Sequence, residues 1–158
     1  MVSVRDVVAE VVDPELRVIT IEELGILREV REDPDTGAVT VTITPTYSGC
    51  PAMDVIRADI SSALARAGHD DAEVRTVLHP AWSTDMISQE GRAKLAAAGI
   101  APPPAVHRDG PVPLRLSARC TRCGSPDTEE LSRFGSTACK ALWRCRACGE
   151  PFDLVKPL

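Results

Sequence analysis

Most of the chemistry open to this sequence lies in six cysteines. Cys120-x2-Cys123 and Cys145-x2-Cys148 form two knuckles separated by 21 residues, each followed at once by a glycine, Gly124 or Gly149. That spacing lets each knuckle present two thiolates to one ion, and the glycines permit the tight turn that aims backbone amides at the sulfurs. Four sulfurs make a closed tetrahedral site, which is structural because no coordination position is left for a reactant. We therefore expect Zn2+ here, although spacing alone admits iron as well. Four thiolates leave a zinc site at a formal charge of −2, and Arg119, Arg122, Arg144 and Arg146 stand beside the ligands to offset it. The competing reading is two disulfides or four free thiols. It carries less weight because residues 1–6, with Arg5 and Asp6, lack the apolar stretch of a secretory signal, so the chain reads as cytoplasmic, where thiols stay reduced.

Two cysteines stand apart. Cys50 lies in Thr44-Pro45-Thr46-Tyr47-Ser48-Gly49-Cys50-Pro51, between the end of a strand and the start of a helix. The unpaired amides and positive dipole end of that helix would favour its thiolate. One reading makes Cys50 a reactive or ligating thiol; the other makes Gly49-Cys50-Pro51 a turn with the thiol tucked in. A thiol enzyme is the weaker option, since no His or Asp follows at a nucleophile-motif spacing. Cys139, inside Phe134-Gly135-Ser136-Thr137-Ala138-Cys139-Lys140-Ala141-Leu142, reads first as a small packed residue and second as a contact or alternative ligand shared with Cys50. Asp13-Pro14-Glu15 reads first as a helix-stopping turn. Trp82-Ser83-Thr84-Asp85 reads first as a strand-to-helix connection capped by Ser83 or Thr84, and second as a rim beside Cys50, together with Thr46. His69, His79 and His107 read as ordinary surface or loop residues.

The elements that must position these residues follow from periodicity. Ser3 caps a helix with Asp6 three residues on, and Val4, Val7, Val8, Val11 and Val12 fall at helical spacing until Pro14. Leu24 to Arg31 and Ala38 to Thr44 are strand-like and are joined by the turn Asp33-Pro34-Asp35-Thr36-Gly37, which predicts an antiparallel hairpin. A helix from near Pro51 to Gly68 places Met53, Ile56, Ile60, Leu64 and Ala67 on one face. Val74 to Leu78 is then a strand, and strand-helix-strand predicts a right-handed crossover with parallel pairing. Ser88-Gln89-Glu90 opens a last helix closing at Gly99. The expected fold is mixed, α+β or α/β: a small three-stranded α-β-β-α-β-α domain over residues 1–100, a Pro-rich linker over 101–113 holding five of the thirteen prolines, and a zinc ribbon over 114–158.

Composition narrows the function. At 44% hydrophobic and 26% charged over 158 residues, the chain is neither disordered nor collagenous, and no apolar run approaches a membrane span. Residues 1–113 carry 18 acids against 10 bases, and residues 114–158 carry 5 acids against 8 bases. The zinc centre would cancel most of that C-terminal excess, and the ribbon's two Phe and one Trp are scattered, so neither a basic groove nor a stacking platform for nucleic acid is expected.

Asp13-Pro14-Glu15, Leu24-Gly25, the Thr44–Pro51 run, Pro80-Ala81-Trp82-Ser83-Thr84-Asp85, Gly99-Ile100-Ala101-Pro102-Pro103 and Phe134–Leu142 between the knuckles closely resemble the PaaD family of phenylacetate-degradation proteins. The N-terminal domain is similar to the iron-sulfur-assembly domain shared with SufT-type proteins. The resemblance implies a non-enzymatic role beside the multicomponent monooxygenase that epoxidises the ring of phenylacetyl-CoA, as a maturation factor for its di-iron or iron-sulfur centre. It implies that Cys50, with Asp13 and Glu15, contacts a transiently held iron or iron-sulfur cluster. It implies as partners the oxygenase subunits, iron-sulfur assembly proteins or a second copy of the chain, because a cluster ordinarily takes four protein ligands. Two departures stand out: Met86 occupies a position where a tryptophan is expected, and the tail Phe152–Leu158 lacks the aromatic and cysteine of some relatives. An integral subunit relaying electrons is the alternative.

Overall fold

A computed structural model describes residues 2–103 and 118–157. The chain divides into two compact units, Met1–Gly91 and Arg92–Leu158, with the boundary inside a helix. Most of the expected linker, residues 104–113, and the expected start of the ribbon, residues 114–117, lie outside the described residues. Ala101 does not: with Ile100 it forms a strand of the second sheet, so the expected limits of 1–100 and 101–113 give way to a division after Gly91.

The first unit runs α1 (Val4–Ala9), β1 (Leu27–Glu32), β2 (Val39–Ile43), α2 (Ala52–Arg66) and β3 (Glu73–Thr76), then a 3-10 turn over Thr84–Met86 and the start of α3 (Gln89–Ala97). Ser3 and Asp6 form the predicted reciprocal capping box at α1. The helix ends before Val11 and Val12, because that stretch leaves to pair in extended form. Ile21 N–H donates to Val11 O at 2.9 Å, Asp13 N–H to Ile19 O at 3.0 Å, and Val12 bridges Thr20. β1 also starts later than Leu24. Thr20 and Glu23 cap each other's amides through their side chains, winding residues 20–24 into a turn that reverses at Gly25.

β1 and β2 pair antiparallel and β2 and β3 parallel, giving the order β1-β2-β3 with α2 as the crossover. The alternation of Val39, Val41 and Ile43 against threonines buries one face of β2, against which the sequence places Met53, Ile56, Ile60 and Leu64 of α2, all buried. Fully burying side chains of this size stabilises the fold by about 1.5–3 kcal/mol each. Ala67, at the helix cap, is exposed rather than in the predicted stripe.

The second unit is a four-stranded sheet in the order β4-β7-β6-β5, formed by β4 (Ile100–Ala101), β5 (Thr128–Ser132), β6 (Lys140–Cys145) and β7 (Pro151–Val155). β4 pairs parallel to β7, and the other contacts are antiparallel. Its small core is Ala101, Cys120, Ala141, Trp143, Cys145, Phe152 and Leu154. Among the described residues no helix is long and apolar enough to cross a membrane.

Candidate metal centre and thiol loop

Cys120 and Cys123 lie on the turn before β5, Cys145 ends β6, and Cys148 lies in the turn that leads into β7. Gly124 and Gly149 adopt φ of 72° and 78°, and their amides close the two knuckles onto Cys120 O and Cys145 O at 2.9 Å each. The positive φ is what a residue with a Cβ resists, so both glycines have a conformational reason. In the first knuckle the amides of Arg122 and Cys123 donate to Cys120 Sγ at 3.4 and 3.5 Å.

The four sulfurs lie within 4.8 Å of one another, with Cys120 and Cys148 at 3.7 Å and Cys123 and Cys145 at 3.6 Å. A tetrahedral ion with metal–sulfur bonds of about 2.3 Å sets its ligands roughly 3.8 Å apart. The donor set fits such an ion and not a disulfide, whose sulfurs are about 2.05 Å apart; all six cysteines are free thiols. The Cys123 amide, with help from that of Arg122 and against desolvation, lowers the Cys120 thiol to about 7. The Cys148 thiol is lowered by the Glu150 amide, yet desolvation and the neighbouring thiols of Cys123, Cys145 and Cys120 push it up to about 12. Thiolates packed this closely ionise together only with a cation among them.

Each flanking arginine has an oxygen partner. Arg144 and Arg146 both bind the carboxylate of Glu129, Arg122 pairs with Glu150 at 2.9 Å, and Arg119 donates to Gly124 O at 3.1 Å. Carboxylates within reach are stronger partners than sulfurs already committed to amides or a metal. Glu129, held below the usual carboxylate range by Arg144 and then Arg146, ties β5 to β6 beside Cys145.

Cys139 lies in the loop before β6, half-buried, its Sγ 3.1 Å from Thr137 Oγ1. Its carbonyl accepts from the Lys156 amide at 2.9 Å, which fixes the loop to the end of β7.

In the first unit, Cys50 is half-buried on the loop joining β2 to α2. Its amide donates to Tyr47 O at 3.3 Å and its carbonyl accepts from Met53 N–H at 3.2 Å, so the residue opens the first turn of α2. Ser48 and Gly49 are exposed and Thr46 is half-buried. The loop is anchored at Thr44, which is buried. Its amide donates to Ile26 O at 2.9 Å, and its hydroxyl accepts from Arg28 Nε at 3.0 Å. Arg28 also donates through Nη2 to Pro80 O at 2.6 Å. One guanidinium thereby joins the loops that follow the carboxyl ends of the adjacent parallel strands β2 and β3, the edge at which open α/β sheets place ligands. Sequence reasoning did not single out Arg28. Its only signal was a basic residue inside an otherwise apolar strand start.

The other predicted residues have more structural surroundings. Asp13 is buried, and its Oδ1 accepts from the amides of Glu15 at 2.9 Å and Leu16 at 2.7 Å, the turn geometry expected of Asp-Pro-Glu. Glu15 is half-buried. Trp82 is buried and donates from Nε1 to Leu24 O at 2.8 Å, and Thr84 is buried. Both belong to the packing beneath the loop edge; of the predicted rim, Asp85 is exposed and Thr46 half-buried. Of the two expected caps, Ser83 or Thr84, Ser83 precedes the 3-10 turn without a side-chain capping bond.

Comparison with known proteins matches the two units in order. Residues 2–76 match the family described as iron-sulfur cluster assembly protein, and residues 107–156 match the PaaD zinc beta ribbon domain. A putative 1,2-phenylacetyl-CoA epoxidase subunit of Escherichia coli is 40% identical over 148 residues, which span 94% of this chain and 87% of the relative. The Fe-S protein maturation auxiliary factor YitW of Bacillus subtilis is 35% identical over 94 residues, 59% of this chain and 90% of that protein. A solved structure of a domain of unknown function, DUF59, from Bacillus anthracis superposes with a TM-score of 0.53 at 29% identity, covering 58% of this chain and 87% of that one. Two matched units in sequence order, and a relative aligned along nearly the whole chain, establish that this protein belongs to the PaaD family.

Proposed function

We propose that this protein is a non-enzymatic maturation factor for an iron centre, di-iron or iron-sulfur, of a multicomponent phenylacetyl-CoA epoxidase. The observation that carries the reading is the pairing of an iron-sulfur-assembly unit bearing one accessible thiol with a ribbon whose four thiols close on themselves. The ribbon ion, which we assign as Zn2+, has no open position and folds its unit. Cys50 is the residue assigned to iron or cluster contact. Asp13 and Glu15 shape the neighbouring chain and are secondary candidates, and Cys139 is a further thiol of the second unit. A lone thiolate needs further ligands to hold a cluster, so a client protein, an iron-sulfur assembly protein or a second copy of this chain must supply them.

The deciding experiment co-expresses the oxygenase subunits with wild-type protein or with Cys50→Ala. The expected result is a variant that folds and keeps its zinc while the oxygenase lacks iron and activity; a fully active oxygenase would overturn the proposal. A second reading, an integral subunit relaying electrons, draws support from the E. coli relative, which is itself described as an epoxidase subunit. It requires a stable redox centre, so anaerobically purified protein containing zinc alone and lacking visible absorption would exclude it. A thiol enzyme would need Cys50 to turn over a substrate without any partner.

A further inference from the structure

The run Phe134–Leu142 lies between the two knuckles, yet none of its residues belongs to the four-sulfur cluster. The chain is nonetheless held firmly there. The Phe134 amide donates to Ser132 Oγ at 3.1 Å and the Gly135 amide to Lys140 O at 2.9 Å. A Cβ on Gly135 would lie 3.1 Å from the Lys140 backbone, so a glycine lets the loop close this tightly onto the start of β6. Further round, the Lys140 amide donates to Thr137 O at 3.2 Å. Lys156, just past β7, donates its amide to Cys139 O and its Nζ to Ala138 O, both at 2.9 Å.

What this fixed loop presents to solvent is apolar. Phe134 is 80% exposed, and Leu131, three residues earlier on the edge strand β5, is 47% exposed, whereas the other phenylalanine, Phe152, is buried in the core. An aromatic ring left in water contributes little to the fold, and large apolar groups rimmed by polar ones mark contact sites for other proteins. The rim has a sign. Arg119, Arg133 and Lys156 share one surface depression with Phe134, against a single described carboxylate, Glu130, 3.8 Å from Arg133. Lys156 Nζ stands 5.2 Å from the centre of the Phe134 ring, and the Arg133 side chain is 85% exposed. Aromatic and arginine side chains are enriched at binding hot spots, and a loop ordered before contact loses little conformational freedom in it.

We infer that the Phe134 loop is a docking element for a protein partner that presents an apolar cleft edged by carboxylates. Phe134 enters the cleft while Arg133 and Lys156 face its acidic edge. The partner covers the exposed rim, and nothing needs to reach the core beneath. Resting on the maturation reading above, the partner is assigned as a subunit of the epoxidase.

The test measures binding of each purified epoxidase subunit to the full, metal-loaded chain by isothermal titration calorimetry. One subunit should bind the wild type. Phe134→Ala should weaken that binding at least about thirtyfold, the loss that defines a hot spot. The double variant Arg133→Glu, Lys156→Glu should weaken it at least about tenfold at about 50 mM salt, and its difference from wild type should shrink at about 500 mM, where the attraction is screened. Unchanged metal content shows that each variant is folded; should the double variant lose its metal, Arg133→Glu alone takes its place. With 4-fluorophenylalanine at both phenylalanine positions, the 19F resonance of Phe134, identified by its loss in Phe134→Ala, should shift on binding while that of Phe152 stays fixed. Undiminished binding of Phe134→Ala overturns the assignment, as does failure of every subunit to bind the wild type. Dimers of the wild-type chain alone that Phe134→Ala dissociates would give the loop to a second copy instead. Calorimetry reads docking rather than iron transfer, so its failure is distinct from that of the maturation reading, which falls if Cys50→Ala yields an active oxygenase.

Discussion

A thiol that opens a helix and a thiol that faces three others are chemically different residues, and substitution should separate them. Cys148→Ser removes one of the four sulfurs of the proposed metal site. Metal affinity should drop by more than the roughly 10–100-fold typical of losing an outer-shell partner, measured by competition with a chelating dye. Cys50→Ala should leave both metal content and stability nearly unchanged, within about 1 kcal/mol, because the residue is half-buried and its amide and carbonyl bonds belong to the backbone. Asp13 behaves in the opposite way. Its carboxylate is buried on two amides, so Asp13→Ala should cost about 2 kcal/mol in urea denaturation, whatever its effect on iron transfer. A loss of maturation by an Asp13 variant therefore says little unless stability is measured beside it.

At the scale of elements, the thiol edge of the first unit depends on how closely the 3-10 turn meets the chain entering β1. A Cβ on Gly25 would lie 2.6 Å from Met86 Cβ and 2.7 Å from Met86 O, at a φ of 80°. Backbone cannot yield as a flexible side-chain end does, so Gly25→Ala should destabilise the first unit by about 2 kcal/mol or more, seen as a lower urea midpoint at unchanged slope. α1 offers a pH test. The Ser3 hydroxyl and amide hold the Asp6 carboxyl below its ordinary value of 3.8. A group whose folded value is depressed stabilises above its unfolded value, and that contribution is lost as pH falls through the folded one. Asp6→Asn should accordingly lower stability at pH 7, with the difference from wild type shrinking below about pH 4.

The whole molecule consists of two units with different sources of stability. The first buries aliphatic side chains from β2 and α2, whereas the cluster at the centre of the second has seven described members, two alanines, two aromatics, Leu154 and the cysteines Cys120 and Cys145 of the sulfur site. So few apolar side chains rarely stabilise a unit of this size without a metal. Chelation should therefore abolish amide protection in β5, β6 and β7 while β1 to β3 keep theirs, in hydrogen exchange followed by mass spectrometry. Retained protection throughout would mean that the ribbon folds without its ion.

Local rules in the amino-acid sequence determined much of this. The capping box, the alternation of β2, the stripe of α2 and the parallel return to β3 were all legible, because each depends on neighbours within a few residues or on a short crossover. The paired knuckles were legible because ligand spacing is itself a local constraint. Tertiary structure decided the rest, where the partner is distant in the chain. Arg28 reaches Pro80, Trp82 reaches Leu24, Glu129 binds both Arg144 and Arg146, and Ala101 pairs with Leu154. No periodicity encodes such contacts, since what selects them is competition among all the donors and acceptors that packing brings within reach. The unpaired indole of Trp143 belongs with them: its burial is written in the alternation of β6, but the absence of an acceptor among the described residues exists only in three dimensions.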